Sequence, residues 1–448
     1  MNDDRVWTQQ RAREALDAIV GAALEAVDPA EAVRRHLRRE GDFLTVGDKT
    51  YDLSGLGRLV VVGAGKAGAP MAQAVEGIMG DRIDDGLVIV KAGHALPTER
   101  VALVEAGHPI PDGRGLEGAR RIEGLISGLE ANDLVLCLIS GGGSALATYP
   151  AEGISLADLQ ATTDALLRVG ATINEVNAVR KHLERLKGGG LARFAYPAQV
   201  ASLILSDVVG DPLDVIASGP TVPDTSTYAD AWSVLERYGL AEVAPESVRQ
   251  TLKAGMAGEL GETLKSGDEA ASRAYHVVVG SNALAADAAA SAAEQQGLHA
   301  LVLTTFLQGE AREVGQVLAS LAKELARRGG PLKKPACLIL GGETTVTVRG
   351  SGKGGRNQEM ALAAAVAVAG LHNILVACLA TDGTDGPTDA AGAIVDGDTV
   401  RQAGETGLDP LAFLADNDAY RFLDALHLLL KTGPTRTNVN DLAFVLAW

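Results

Sequence analysis

Two glycine-rich loops have the makings of an anion site. GAGKAG (Gly63 to Gly68) follows the apolar run RLVVV, and SGGGS (Ser140 to Ser144) follows VLCLI. A strand-to-helix turn carrying Gly63 and Gly65, or Gly141, Gly142 and Gly143, can present several backbone N–H groups to one anion. SGGGS lacks the Gly-Lys-Ser/Thr ending of a Walker A loop, so its positive charge must come from elsewhere. Lys66 is one source. It stands in the first turn of a helix, where the macrodipole disfavours a cation unless an anion is there too. The plainer alternatives are a turn that uses glycine to relieve sterics and a solvated surface lysine.

GGETTVTVRGSGKGGRNQE (Gly341 to Glu359) is the densest stretch of this kind. Gly350, Gly352, Gly354 and Gly355 form a loop before a helix that begins near Asn357, and Lys353 and Arg356 flank that start. A polyphosphate held by glycine amides and arginine accounts for the combination. Glu343 and Glu359 are expected to position those cations. Aspartates stand at two strand ends: Asp207 in LSDVVGD, and Asp382, Asp385 and Asp389 in ATDGTDGPTDAAG. Asp207, Asp382 and Asp385 are candidate Mg²⁺ ligands, and Asp207 is also a candidate base for a hydroxyl proton. Loop capping is the preferred role for Asp211 and Asp214, and an open alternative in the Asp382 loop. Asn282, after the run HVVVGS, is a candidate substrate or nucleotide contact, as are Ser140, Ser144, Glu343 and Asn357. His108 in AGHPIPD is either a ligand contact or a structural loop residue.

GAGKAG also matches the dinucleotide pattern G-x-G-x-x-G. That use requires an acid at the end of the next strand for the ribose hydroxyls. The next strand, GLVIVKAGH, ends in Lys91. There is no H-E-x-x-H, no Cys/His set and no G-x-S-x-G elbow, which argues against zinc and serine-hydrolase chemistry. Glycine cradles, cations and carboxylates without a nucleophile or redox group fit phosphoryl transfer, which works by positioning and charge neutralisation. Lys66, and Arg356 from a second domain, are expected to supply the charge missing beside SGGGS.

The elements that carry these loops repeat one pattern: a short Val/Ile/Leu run, a small or polar end, then a helix. It recurs at RLVVVGAGKAG, GLVIVKAGH, LVLCLISGGGS, ASLILSDVVGD, HVVVGSN, ACLILGGET and ILVACLATDGTDG. Continuous apolar strands alternating with helices predict an α/β fold of parallel sheets covered on both faces, with ligands at the carboxyl ends of the strands. Ser155 with Asp158 and Thr172 with Glu175 fit capping boxes. Ile173, Val176, Val179, Leu183 and Leu186 predict one buried helix face, stopped by Gly188, Gly189 and Gly190. Polar, helix-like sequence after Tyr228 places a boundary near Tyr238, giving domains 1–238 and 239–448. The final stretch TGPTRTNVNDLAFVLAW is a candidate strand packing back on the first domain.

Composition sets the frame. The 448 residues are 47% hydrophobic and 4% aromatic, with a net charge of -17. That charge argues against nucleic acid as a partner. The basic run VRRHLRRE is read as a solvated helix end. Cys137, Cys337 and Cys378 each lie in an apolar run, as buried reduced thiols of a cytoplasmic protein would. The start, MNDDRVWTQQ, has no basic segment followed by an apolar core, so no leader is expected. Met360 to Ala380 is strongly apolar but interrupted by Gly370, His372 and Asn373. It predicts a buried helix, a turn and a strand rather than a membrane span.

GAGKAG, AGHPIPD, LISGGGSAL, NAVRKHLERLKGGGLA, LSDVVGDPLDVIASGPTVPD, GGETTVTVRGSGKGGRNQE, ATDGTDGPTDAAGA and TGPTRTNVNDL together resemble a class II glycerate 2-kinase with a C-terminal MOFRL domain. The resemblance runs in order from about Arg58 onward. It implies a Rossmann-like N-terminal domain, an α/β C-terminal domain and an active site in the cleft between them. The implied reaction is ATP- and Mg²⁺-dependent phosphorylation of D-glycerate at its 2-hydroxyl, with Lys66 and Arg356 as catalytic residues. The expected partners are D-glycerate and ATP, with neither nucleic acid nor membrane, and a homodimer stays open as the assembly. The alternative the resemblance carries is an NAD(P)H-dependent hydroxypyruvate reductase. A non-catalytic nucleotide sensor would need the glycine cradles without so many strand-end aspartates.

Overall fold

A computed structural model describes residues 7–448; the first six residues, part of the stretch read for a leader, lie outside the described residues. The chain divides into two compact units: a contiguous one, Pro29–Val279, and a split one made of the residues up to Asp28 together with Gly280–Trp448.

The contiguous unit opens with a small antiparallel sheet of β1 (Leu37–Glu40), β2 (Phe43–Val46) and β3 (Lys49–Asp52). The basic run therefore splits between the helix Pro29–His36 and β1, with Leu37 buried. A six-stranded sheet follows: β4 (Leu59–Ala64), β5 (Asp85–Lys91), β6 (Ala102–Ala106), β7 (Leu134–Ser140), β8 (Gln199–Leu205) and β9 (Ala274–Gly280), in the order β6-β5-β4-β7-β8-β9. The ladders from β6 through β8 are parallel, as expected. β4 and β7 are buried along their whole length, which is why their sequences are unbroken apolar runs. The order is that of the Rossmann fold. The chain builds outward from β4 to β5 and β6, then returns to β7 on the other side.

Tyr238 is not a boundary. The helices Tyr228–Arg237 and Glu246–Met256 return their apolar faces to the helix Ile173–Leu183, and Val176, Val179, Leu183, Val234, Leu235, Val248 and Leu252 share one cluster inside the contiguous unit. Both capping boxes form. The Ile173–Leu183 helix stops earlier than its glycines suggest, because Glu184 is already extended, and Ile173 at its first position is exposed.

The split unit departs from the all-parallel expectation. Its sheet contains β10 (His299–Leu307), β11 (Ala336–Gly342), β12 (Ile374–Ala380), β13 (Gly392–Val395), β14 (Leu429–Leu430) and β15 (Asp441–Ala447), in the order β10-β11-β15-β12-β13-β14. Only β10 and β11 run parallel. β15 lies antiparallel between β11 and β12, with every residue buried. The final stretch is thus a strand, but the central one of this sheet rather than an addition to the first half of the chain. The apolar region Met360 to Ala380 resolves into a buried helix, a turn and β12, and no helix of the described residues is long and apolar enough to cross a membrane. All three cysteines are buried and free; burial pushes the Cys137 and Cys337 thiols up to about 12.

The helix Arg356–Ala367 is apolar nearly all round because β12, β13 and the helix Ala311–Arg328 enclose it. Gly315 makes the closest approach possible: a Cβ there would collide with the Met360 carbonyl oxygen and come within 2.9 Å of the Ala363 Cβ. Gly315→Val should force these helices apart and cost about 1–3 kcal/mol or more, read as a lower urea midpoint in equilibrium unfolding.

Candidate active site

In the contiguous unit the anion-binding candidates gather where the sheet order reverses. Ala64 at the end of β4 is in register with Ile89 and Ile139, so the ends of β5, β4 and β7 lie side by side. GAGKAG leaves β4 and SGGGS leaves β7, and the two loops are bonded together. Lys66 N donates to the Gly141 carbonyl at 2.9 Å, and Ala67 N donates to Ser140 Oγ at 3.0 Å. Gly65 has φ +151, and a Cβ on it would strike Ser140 Oγ. Gly142 has φ +81; a Cβ on it would lie 3.0 Å from His108 Nε2 and 3.3 Å from Lys66 Cε. A Cβ on Gly141 would strike the Asp207 carboxylate. The glycines are therefore required by packing. What packs on them is the set of candidate residues: Lys66, His108 and Asp207.

A buried ionic frame holds SGGGS from behind. Arg180 NH2 and Lys187 Nζ each donate to the Ser144 carbonyl at 2.8 Å, and both pair with Glu184, which is buried. Burial pulls the Lys187 ammonium down to about 8 despite Glu184. Ser144 Oγ meets Ser218 Oγ at 2.6 Å, and Ser218 donates to Asn177 Oδ1 at 2.9 Å. Ser140 and Ser144 thus spend their hydroxyls on the loop's own architecture. Arg180 and Lys187 are additional positive charges beside SGGGS. They were hidden in NAVRKHLERLKGGG because one helix face and the turn after it look like ordinary solvated basics.

In the split unit, a pocket of about 780 Å³ is lined by Thr344, Gly354, Gly355, Arg356, Asp382 and Asp385, among others. Arg356 forms a bidentate pair with Asp441, Nε to Oδ2 at 2.5 Å and NH2 to Oδ1 at 3.0 Å, while NH1 reaches Glu343 Oε1 at 2.7 Å. Burial works against the Arg356 charge. Its bonds to Asp441 and the charges of Asp441, Glu343 and Asp385 still hold it above the ordinary arginine value. Burial also pushes the Asp441 carboxyl above the usual range, opposed by the guanidinium. Asp441 escaped the sequence reading because it stands at the start of its strand rather than at the end. In a reversed strand, the beginning is the end nearest the site.

The glycine loop is not an open phosphate cradle along most of its length. The Arg349 and Gly350 amides donate to Asn417 Oδ1, Ser351 N and Gly352 N to Asp416, and Lys353 N to Asp418 Oδ1. Lys353 Nζ sits over the Tyr420 ring at 4.3 Å. The start of the Arg356 helix is also occupied: Asn357 N donates to Asp385 Oδ1 at 3.1 Å and Gln358 N to Asp385 Oδ2 at 2.8 Å. Glu343 positions Arg356 as expected, whereas Glu359 pairs with Arg312 and Asn417. Asn282 Nδ2 donates to the Val439 and Asp441 carbonyls, so it anchors the start of β15. Thr344 Oγ1, Asn357 Oδ1 and Gln358 Oε1 are buried without hydrogen-bond partners.

Among the described residues no group of three or more His, Cys, Asp or Glu side chains is arranged to cage a metal ion. Mg²⁺ does not need one: it keeps several waters and takes one or two carboxylates alongside phosphate oxygens. Asp382 and Asp385 line one pocket and fit that pattern. Asp389 does not join them; it bonds Tyr420 and Lys431. Asp207 belongs to the other unit.

Burial, with the Asp441 charge, pushes the Asp385 carboxyl up to about 6, against its two amide donors. A carboxyl raised in the folded state holds its proton more tightly there than in the unfolded chain. Its ionisation therefore costs stability as pH rises from about 4 through 6. Asp385→Asn removes that cost. In chelator-treated buffer its melting temperature should rise relative to wild type between pH 4.5 and 7.5. The gain should approach about 2–3 kcal/mol at pH 7.5, and a pH-independent difference would refute the assignment.

The DUF4147 family model, a domain of unknown function, matches residues 15–253, and the MOFRL family model matches residues 336–441. The chain is 44% identical over 429 residues to glycerate 2-kinase of Pyrococcus horikoshii, covering 96% of each chain. It is 45% identical over 425 residues to D-glycerate 2-kinase of Thermotoga maritima, covering 95% of each. The crystal structure of glycerate kinase from Thermotoga maritima superposes with a TM-score of 0.88 at 44% identity, covering 98% of this chain and 100% of that one. The chain belongs to the glycerate 2-kinase family in which a DUF4147 region is followed by a MOFRL region.

Proposed function

We propose that the protein transfers a phosphoryl group from ATP to the 2-hydroxyl of D-glycerate, giving 2-phosphoglycerate and ADP. The observation that carries this reading lies at the reversal point of the Rossmann-like sheet. Lys66, in one of two interlocked glycine loops, lies against the other, and Lys91 occupies the strand end where a dinucleotide fold keeps its ribose-binding acid. That distribution of charge favours phosphoryl transfer over a nicotinamide-dependent reductase.

In this reading Lys66 and Arg356 are the catalytic cations, each in its own unit. Arg356 is held rigidly by Asp441 and Glu343, so little reorganisation is needed when charge develops. Asp207, packed on Gly141, accepts the proton of the 2-hydroxyl. Asp382 and Asp385 would hold Mg²⁺, which when bound neutralises phosphate charge and orients the donor. The glycines of GAGKAG and SGGGS let reactants come close to the backbone at the strand ends.

The deciding experiment is a paired assay on purified protein. One reaction contains D-glycerate, ATP and Mg²⁺, with product read through enolase with and without phosphoglycerate mutase; the other contains hydroxypyruvate with NADH or NADPH. Enolase signal without the mutase is expected, together with no nicotinamide oxidation. The reverse pattern would overturn the reading. Lys66→Ala should cut turnover by about 10²–10³ with an unchanged melting temperature. Arg356→Ala should cost both turnover and stability, because it leaves Asp441 buried and unpaired. Arg356→Lys should recover stability more than turnover, since an ammonium keeps the charge but not the bidentate fork.

A further inference from the structure

A group of basic side chains lies beside Lys66. Lys91 ends β5 and is in register with Ala106 at the end of β6; two residues later the chain places His108 against Gly142. His94 completes the group, its Nδ1 3.2 Å from the Lys66 carbonyl. Among the described residues neither Lys66, Lys91 nor His108 has an ion-pair partner. Of the acids nearest in the chain, Asp112 caps the helix Gly113–Ile126 and pairs with Arg114, Glu105 accepts from the Gly93 and Ala95 amides, and Asp207 lies against Gly141, where it faces the same site. Burial, then the charges of Lys66, Lys91 and His94, drive the His108 imidazole down to about 4, so it is neutral near pH 7.

Two lysines without an ion pair at one set of strand ends attract an anion. A neutral imidazole between them adds a directional hydrogen bond. His108 and Lys66 both lie against Gly142 of the β7 loop, and Lys91 ends β5, the strand next to β4, so the basic side chains border the glycine loops on the β5 and β6 side.

We propose that His108 and Lys91 form the seat for the carboxylate of the 2-hydroxy acid, fixing its hydroxyl beside Lys66. The assignment rests on the kinase reading for the identity of the acid. The seat itself is a property of these side chains, and it selects small 2-hydroxy carboxylates over uncharged polyols.

Two measurements on the full chain test it. In steady-state kinetics, His108→Gln and Lys91→Gln should each raise the KM for D-glycerate by about tenfold or more, leaving the KM for ATP unchanged and kcat within about threefold, as loss of a charge-assisted contact to the acceptor requires. An unchanged KM for D-glycerate overturns the proposal. So does a rise confined to the KM for ATP, which would place a nucleotide phosphate there. Lys91 is only half-buried, so its variant guards against a folding defect in His108→Gln. The second measurement does not depend on turnover. The imidazole resonances of His108, identified by their loss in His108→Gln, should shift when D-glycerate is titrated in and stay still with glycerol. No shift with D-glycerate overturns the carboxylate seat even in an active kinase. A shift in a protein that makes no 2-phosphoglycerate keeps the seat and refutes the kinase reading instead.

Discussion

The Arg356–Asp441 pair depends on the direction of one strand. β15 runs against β11 and β12, so Asp441 at its first position lies opposite Gly342 and Ala380, the last residues of its neighbours. GGET, ATDG and NVND therefore converge. Asp441 alone would be a carboxylate buried in a sheet, a costly arrangement. Arg356, at the first turn of a helix whose dipole disfavours it, would be equally misplaced. Together they satisfy each other with two parallel hydrogen bonds, and Glu343 tightens the clamp. The rest of the pocket follows: Asn282 pins the start of β15, and Asp385 covers the helix amides that Arg356 leaves open.

The contiguous unit solves the opposite problem. There the strands are parallel, and the site lies where the connections change direction. The loops from β4 and β7 must cross within hydrogen-bonding distance, and only residues without a Cβ allow it. Gly65 yields to Ser140, and Gly142 yields to His108 and Lys66. Behind them, Glu184, Arg180 and Lys187 fasten the Ser144 carbonyl. Glycine on the outer side lets the loops approach, and the ionic contacts on the inner side fasten SGGGS in place.

The apolar runs made β4, β5, β7, β8, β9, β11 and β12 readable, because a strand buried on both faces has few residues to choose from. The strand-end loops were readable for the same reason: polar residues after such runs must face the ligand side. What escaped was set by long-range partners. The direction of β15 is decided by the gap between β11 and β12, not by DLAFVLA itself. The Tyr238 boundary failed because amphipathic helices look alike whether they begin a domain or fold back on one. The glycines of GSGKGG suggested free amides. Asn417 and its neighbours, some 65 residues on, take most of them.

The split unit has a consequence for the order of folding. Residues 29–279 form one uninterrupted stretch that can collapse while it emerges from synthesis. The unit around it takes the helix Gln9–Ala26 from before that stretch and β10 to β15 from after it. Its sheet stays open at the centre until β15 arrives, leaving β11 and β12 with unpaired inner edges. Contacts so distant in sequence close slowly, and open edges invite the wrong strand. The clamp that holds Arg356 is therefore among the last features to form, and it forms only in chains that have already paired their central strand correctly.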